Sequence, residues 1–381
     1  MDEIQRESSK VKQFIRTHFR RNIVGLTLTV IVFVAMIVLA PYLRERRIAR
    51  TLESLGFGIR WSDGGLTSIP QSIREKLPIF SRIIEISFDV DDISDSGELT
   101  QKVVPPNSLS ELGSLHRLET LDLIGTKITD AEMEQLKVLT SIKRVDLSYS
   151  SVTDAGLKHL KGLTSLELLR LDNTKVTDAG MEHLKGLTNL KLLSLDDTHV
   201  TDAGLEHLKG MAALSILYLH NTRITNTGLE HLKGLTNLWI LELNNTQVSD
   251  AGMEHLKVMK RLGRLFLCNT QVTDVGMKSL KDSESIFYLN LNNTQITDSG
   301  IEHLTGLTRL LKLRIEATNV TDSGLEHLRG LTNLYQLNLY QTRTTLEGRA
   351  MLQKALPQCS ISDVFDGDLI PGVKIKIRNE Q

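Results

Sequence analysis

The sequence predicts an α/β solenoid, with a parallel β-sheet on the concave face, short helices on the convex face, and an N-terminal transmembrane helix ahead of them. Three observations predict it. One phrase of 24 residues recurs ten times without insertion between 118 and 357. Within each phrase the apolar positions change from strand spacing to helical spacing. Before the repeats, Ile23 to Ala40 form a run of 18 residues without a charge, IVGLTLTVIVFVAMIVLA.

Taken in order, residues 1–22 are expected to be a short polar cytoplasmic tail, and 23–40 a transmembrane helix. At 1.5 Å per residue that run spans roughly 27 Å, close to the hydrocarbon thickness of a bilayer. A cleaved signal peptide and a buried core helix are the competing readings. The first fits poorly because the run ends in Leu39-Ala40-Pro41 with no small-x-small exit site. Lys10, Lys12, Arg16, Arg20 and Arg21 precede the run, and Arg44, Arg46, Arg47 and Arg50 follow it. The charge asymmetry is therefore slight. The expected orientation, a signal-anchor with the repeats on the extracytoplasmic side of a single-pass membrane protein, rests on how common that arrangement is for a short tail ahead of a large domain.

Residues 41–117 are expected to connect and to cap the first repeat, whose outer side has no neighbour to cover it. Leu43 to Leu55 reads as a charged helix, Ile59 to Trp61 as a short strand, 70–77 as a helix and Arg82 to Phe88 as an alternating strand. The acidic run Asp89 to Asp95 lacks the glycine and closing glutamate of a calcium loop and reads as a solvated turn.

The ten units start at Leu118, Ile142, Leu166, Leu190, Leu214, Leu238, Leu262, Ile286, Leu310 and Leu334. Residues 166–189, LELLRLDNTKVTDAGMEHLKGLTN, show the pattern. Positions 1, 4 and 6 send apolar side chains inward from a strand. Position 9 is nearly always Thr, as at Thr126, Thr174 and Thr222, where a hydroxyl can satisfy backbone groups that would otherwise be buried unpaired. The Thr-Asp pair that follows supplies a helix cap. Leu or Met at position 16 and Leu at 19 and 22 close the back of the core. Gly at 15 fits either a close backbone approach or a tight dihedral. Residues 358–381 are expected to be a final half-repeat and a tail.

These residues resemble the leucine-rich repeat family, over about 118–361. The phrase TDAGLEHLKGLTNL is closest to the cysteine-containing type, with the Thr column standing where that type has a cysteine after the strand. With the N-terminal run, the chain resembles predicted membrane-anchored bacterial leucine-rich repeat proteins. The resemblance implies protein binding on the concave sheet and assigns no ligand.

Outward positions 3, 5, 7 and 8 should line up from repeat to repeat roughly 5 Å apart. They place Arg170 and Asp196 in an acidic early stretch, Tyr218, His220, Glu242, Arg264, Phe266 and Tyr288 in the middle, and Arg314 and Tyr340 later. Aromatic residues are only 4% of the chain, so three of them on one open face beside arginine mark a candidate partner-binding centre. The competing reading is that strand positions tolerate aromatics for sheet packing.

The net charge of −1 disfavours a nucleic-acid partner. Cys268 and Cys359 have no metal spacing, and the histidine column at position 18, from His159 to His327, spreads along a line where a metal needs convergence. No catalytic constellation, cofactor motif or metal site is expected, so the chain is not read as an enzyme. The expected function is a membrane-anchored protein-binding module, with an unidentified protein on the concave face and the lipid bilayer through 23–40 as partners. A structural or glycan-binding protein of the cell envelope, or a cytoplasm-facing adaptor, are the alternatives.

Overall fold

The computed structural model describes residues 44–50, 53–54, 57–61, 83–88, 109, 112–115 and 117–364. They fall into two compact units. In the first, residues 44–50 are helical, and β1 (Phe57–Trp61) pairs antiparallel with β2 (Ile83–Phe88) in the register Ile59 to Ile86. The helix expected at 70–77 and the acidic turn at 89–95 lie outside the described residues.

The second unit is the repeat stack. Its strands are three residues each: β3 (Thr120–Asp122), β4 (Arg144–Asp146), β5 (Leu168–Arg170), β6 (Leu192–Ser194), β7 (Ile216–Tyr218) and β8 (Ile240–Glu242). They continue as β9 (Arg264–Phe266), β10 (Tyr288–Asn290), β11 (Lys312–Arg314), β12 (Gln336–Asn338) and β13 (Ser360–Ser362). Each pairs in parallel with the next, and equivalent residues face each other, as Leu121 does Val145 and Leu337 does Ile361. The inward residue of each triplet from β3 to β12 is fully or almost fully buried, together with the Leu or Ile two positions further on.

From the first repeat to the seventh the back is tighter than an α-helix, whereas the last repeats carry α-helices such as Asp322–Leu328 and Leu346–Ala355. A single α-turn such as Asp154–Leu157 runs into a 3₁₀ turn, Lys158–Leu160. Apolar positions 16, 19 and 22 are three residues apart, the period of a 3₁₀ helix, so Leu157, Leu160 and Leu163 stack one above the other and are all buried.

Adjacent repeats are joined by the Thr-Asp-x-Gly phrase. Asp130 accepts from the backbone N–H and the hydroxyl of Thr153, at 2.8 and 2.6 Å, and the same pair of bonds recurs from Asp154 to Thr177 and onward to Asp322 and Thr345. One joint differs: Asn226 accepts the Ser249 N–H at 2.8 Å and donates through Nδ2 to the Ser249 hydroxyl at 2.8 Å. The glycine is there for space. A Cβ on Gly204 would sit 2.5 Å from Asp178 Oδ1, which instead accepts the Gly204 N–H at 3.0 Å. The first repeat has no preceding aspartate, and there the glycine is replaced by Glu132. Its carboxylate turns back to accept from Thr129 in a capping box.

The expectation of an N-terminal transmembrane helix is not upheld. The longest helix of the repeat stack, Leu346–Ala355, has ten residues. That is about 15 Å, half of a hydrocarbon core. Among the described residues no helix is long and apolar enough to cross a membrane, and the run 23–40 lies outside them. The fold class is therefore stated as the solenoid without that helix. The signal-anchor, the bilayer as a partner, the single-pass extracytoplasmic placement and the membrane-anchored form of the function are withdrawn with it.

Candidate protein-binding face

Because the strands are so short, each repeat offers the sheet face only positions 3, 5 and 7. Position 8 belongs to the turn. Tyr149, Asn173, Asp197, Asn221, Asn245, Asn269, Asn293, Ala317 and Gln341 all have φ between 52° and 59°, the left-handed region that Asn and Asp tolerate best. Position 7 is partly structural as well. Asp196 accepts the N–H of His220 at 2.7 Å, Asn244 that of Cys268 at 2.6 Å, and Asn292 that of Glu316 at 2.8 Å. These side chains bond the loop of the next repeat, and Asn244 and Asn292 are buried in doing so.

The early part of the face is acidic. Asp172 and Asp196 are neighbours, and Asp196 donates its backbone N–H to Asp172. Burial raises the Asp172 carboxyl above its ordinary range. Asp196 is pushed up to about 8, first by burial and then by the charges of Asp172 and Glu242. Burial also raises the Tyr218 hydroxyl, which lies in the fields of Arg170 and Arg264. His220 Nδ1 is 3.9 Å from Glu242 Oε1, and Glu242 accepts from Asn244 Nδ2 at 2.6 Å.

The middle of the face is aromatic. Ile240, Phe266 and Tyr288 form one cluster, with Ile216, Tyr218 and Phe287 packed against it. The rings of Phe266 and Tyr288 have centroids 4.7 Å apart at 36°. The Arg264 guanidinium lies over both, at 5.1 and 5.0 Å, and the Lys312 ammonium is 5.3 Å from the Tyr288 centroid. Mutual packing and the cations leave Phe266 and Tyr288 each only 7% exposed.

The structure thus brings Tyr218, Phe266, Tyr288 and Arg264 into one patch, with His220 and Glu242 beside it and Arg170 and Asp196 on its acidic flank. Arg314 is placed differently. It is 2% exposed, and Nε and Nη2 both bond Glu316 Oε1, at 2.9 and 2.5 Å. It stiffens the floor of β11 and offers no guanidinium to solvent. Tyr340 stands beyond β12, half-buried, with its N–H on Asn338 Oδ1.

The strand periodicity and the inward leucine ladder can be compared directly with solved structures. An internalin from Listeria monocytogenes superposes with a TM-score of 0.51 at 19% identity, over 79% of this chain and 100% of that one. A TDR receptor does so with a TM-score of 0.51 at 15% identity, over 74% of this chain and 47% of that one, so the chain spans about half of the receptor. The fold is a leucine-rich repeat solenoid. No family model matches the sequence, and no curated protein does.

Within this repeat solenoid, no group of three or more His, Cys, Asp or Glu among the described residues could hold a metal ion. The aspartates at the repeat joints spend their oxygens on threonines of the next repeat. Sequence reasoning missed residues at two columns. Ile216 and Ile240 at position 3 line the aromatic patch, and Trp239, Phe287, Leu311 and Tyr335 occupy position 2, just before the strands. At position 2 the signal was available: the first five repeats carry Glu119, Lys143, Glu167, Lys191 and Ser215 there, and the later residues break that polar run.

Proposed function

We propose that the chain is a non-catalytic protein-binding adaptor whose concave sheet face, from β7 to β10, is the recognition centre. The observation that carries this reading is the Ile240, Phe266 and Tyr288 cluster with Arg264 laid across both rings. Aromatic side chains and arginine packed on a solvent-facing sheet have the composition of an interface hot spot. On the acidic flank Glu242 complements a basic residue of the partner, and Arg264 with Lys312 an acidic one. Charges of opposite sign at the two ends of a patch set the direction in which a partner lies across it.

The 24-residue unit supports a place for these repeats nearest the cysteine-containing type. Threonine takes over the column after the strand: the Thr174 hydroxyl donates to the Leu171 carbonyl at 2.6 Å and the Thr222 hydroxyl to the Leu219 carbonyl at 2.7 Å. This is a short polar side chain doing in the turn what the position requires.

The test is affinity capture with the full chain as bait, compared with Tyr218→Ser and Arg264→Glu. Both side chains also pack on the cluster, so melting curves should show each variant folded with at most a modest loss of stability. One discrete protein retained by the wild type and lost from both variants is the expected result. Binding that is insensitive to both changes, or captured material that is glycan, would overturn the reading in favour of a structural or glycan-binding role.

A further inference from the structure

The strongest unassigned surface runs along the edge where the strands begin. Position 2 is Glu119, Lys143, Glu167 and Lys191 in the first four repeats, and there it closes on itself as ion pairs. Lys143 Nζ is 2.9 Å from Glu119 Oε1, and Lys191 Nζ is 2.8 Å from Glu167 Oε2. After Ser215 the same column becomes Trp239, Gly263, Phe287, Leu311 and Tyr335. Trp239 and Leu311 are each 45% exposed and Tyr335 68%. Five consecutive repeats therefore carry no charge in a column that is charged before them.

The stripe is built, not scattered. The Trp239 and Phe287 rings lean toward each other over Gly263, with centroids 5.7 Å apart at 37°. A Cβ on Gly263 would come within 2.6 Å of both Phe287 Cε1 and Trp239 Nε1, so the glycine makes room for the ring pair. Beyond them, Phe287, Arg309, Leu311 and Asn333 line a shallow hollow. Phe287 also packs against the aromatic cluster of the sheet face, so the stripe continues the proposed recognition centre around the edge.

The charges bordering the stripe have one sign. On the turn side, position 24 reads Asn237, Arg261, Ser285, Arg309 and Asn333, and both arginines are exposed. On the sheet side, position 3 reads Ile240, Arg264, Tyr288, Lys312 and Gln336. Neither column holds a carboxylate. Glu284 and Lys260, one position further out, offset each other.

We infer that this edge is a second docking surface, which takes an apolar segment of a partner protein flanked by carboxylates. Adjacent side chains of the stripe are spaced by the strand separation, about 5 Å, close to the 5.4 Å pitch of an α-helix. A helical segment laid along the solenoid axis meets one repeat per turn, with Asp or Glu on its flanks facing Arg261 and Arg309.

The experiment is selection of a random dodecapeptide library on the full chain, in parallel with three variants. Trp239→Ser/Leu311→Ser removes apolar contacts that are already exposed, Arg261→Glu/Arg309→Glu reverses the border, and Tyr218→Ser reports on the sheet face. The wild type should enrich peptides that combine Leu, Phe or Trp with Asp or Glu. The first variant should bind them about 30-fold more weakly, the loss of an aromatic hot spot. The second should select apolar peptides with Lys or Arg instead, and Tyr218→Ser should leave the edge peptides unaffected. Three results overturn the inference: no difference between the wild type and the first variant, enriched peptides that are basic, or a dimer of the chain that Trp239→Ser dissolves, which would make a second copy the occupant.

Discussion

The joint between repeats and the face of the sheet follow opposite rules. At the joint, the aspartate of one repeat holds the N–H and hydroxyl of the next repeat's threonine, and from Asp130 to Asp322 only the Asn226–Ser249 pair departs from that pattern. On the face, position 5 runs through Asp122, Asp146, Arg170, Ser194, Tyr218, Glu242, Phe266, Asn290, Arg314 and Asn338 with no rule at all. The difference has a physical cause. Every repeat is related to the next by the same step, so a contact across the joint is held to nearly the same geometry each time. A side chain on the face has solvent on one side and is free to differ. Changes at the joint should therefore be read out as stability, and changes on the face as binding and as response to pH.

The largest effect is expected where the joint is tightest. In Gly204→Ala the new methyl meets Asp178 Oδ1 at 2.5 Å and Val200 Cγ1 at 2.8 Å. It also pushes apart the bond from Gly204 N–H to that oxygen. The variant should lose about 2 kcal/mol, the usual cost of overpacking. Gly186→Ala, where the nearest atom is the Lys161 carbonyl oxygen at 3.9 Å, should stay within about 0.5 kcal/mol of the wild type. Urea denaturation of the two variants side by side decides the matter. Equal losses would mean that the glycine column serves chain flexibility and the joint is not close-packed.

A smaller and opposite effect is expected on the face. Asp196 carries a pKa of about 8 in the fold, against about 3.9 in an unfolded chain. Between those values the unfolded chain has released the proton and the folded one has kept it. Stability is thus highest below pH 4 with respect to this group, and it falls as pH rises toward 8. Asn at this position cannot ionise, and its oxygen can still accept the His220 N–H. Asp196→Asn should match the wild type near pH 4 and become progressively more stable than it as pH rises to about 9. Melting temperatures across that range check it. A constant offset at all pH values would show that Asp196 is ionised throughout and that the flank repels less than its geometry implies.

The joint was more legible in the sequence than the face, for the same physical reason. A column repeated ten times announces its role: inward leucines, the Thr-Asp cap and the Thr after the strand all act as their spacing implies. The choice left open at Gly in position 15 is settled as close approach, because none of those glycines has a positive φ while all crowd an aspartate or asparagine oxygen. On the face, position and burial part company. Phe266 and Tyr288 stand at outward positions, yet they bury each other, and Arg314 turns away to Glu316 two residues along its own chain. No periodicity reports such sideways contacts, which depend on which residues happen to be neighbours one repeat away. The position 2 stripe escaped notice because the first four repeats make that column look like ordinary surface ion pairing.

The smallest expected effect tests whether position 8 belongs to the joint or to the face. Its residues were expected to point outward for display, but their φ values are all positive, and five of them are Asn. Ala317 sits at φ 52° and Gly125 at φ 66° in equivalent turns. If the dihedral sets the choice, Ala317→Gly should gain about 0.5–1 kcal/mol and Gly125→Ala should lose a similar amount, because a Cβ is strained there and glycine is not. The backbone bond from Ala317 N–H to the Tyr340 carbonyl, 2.8 Å, is untouched by the change. A second explanation makes a different forecast. Asn269 donates through Nδ2 to Asn245 Oδ1 at 2.7 Å, a side-chain ladder running from turn to turn. If that ladder is what selects Asn, both changes should be neutral, while Asn269→Gly should cost stability. Differential melting of the three variants separates the two accounts, and the second would move position 8 from local backbone geometry to the bonds that hold one repeat to the next.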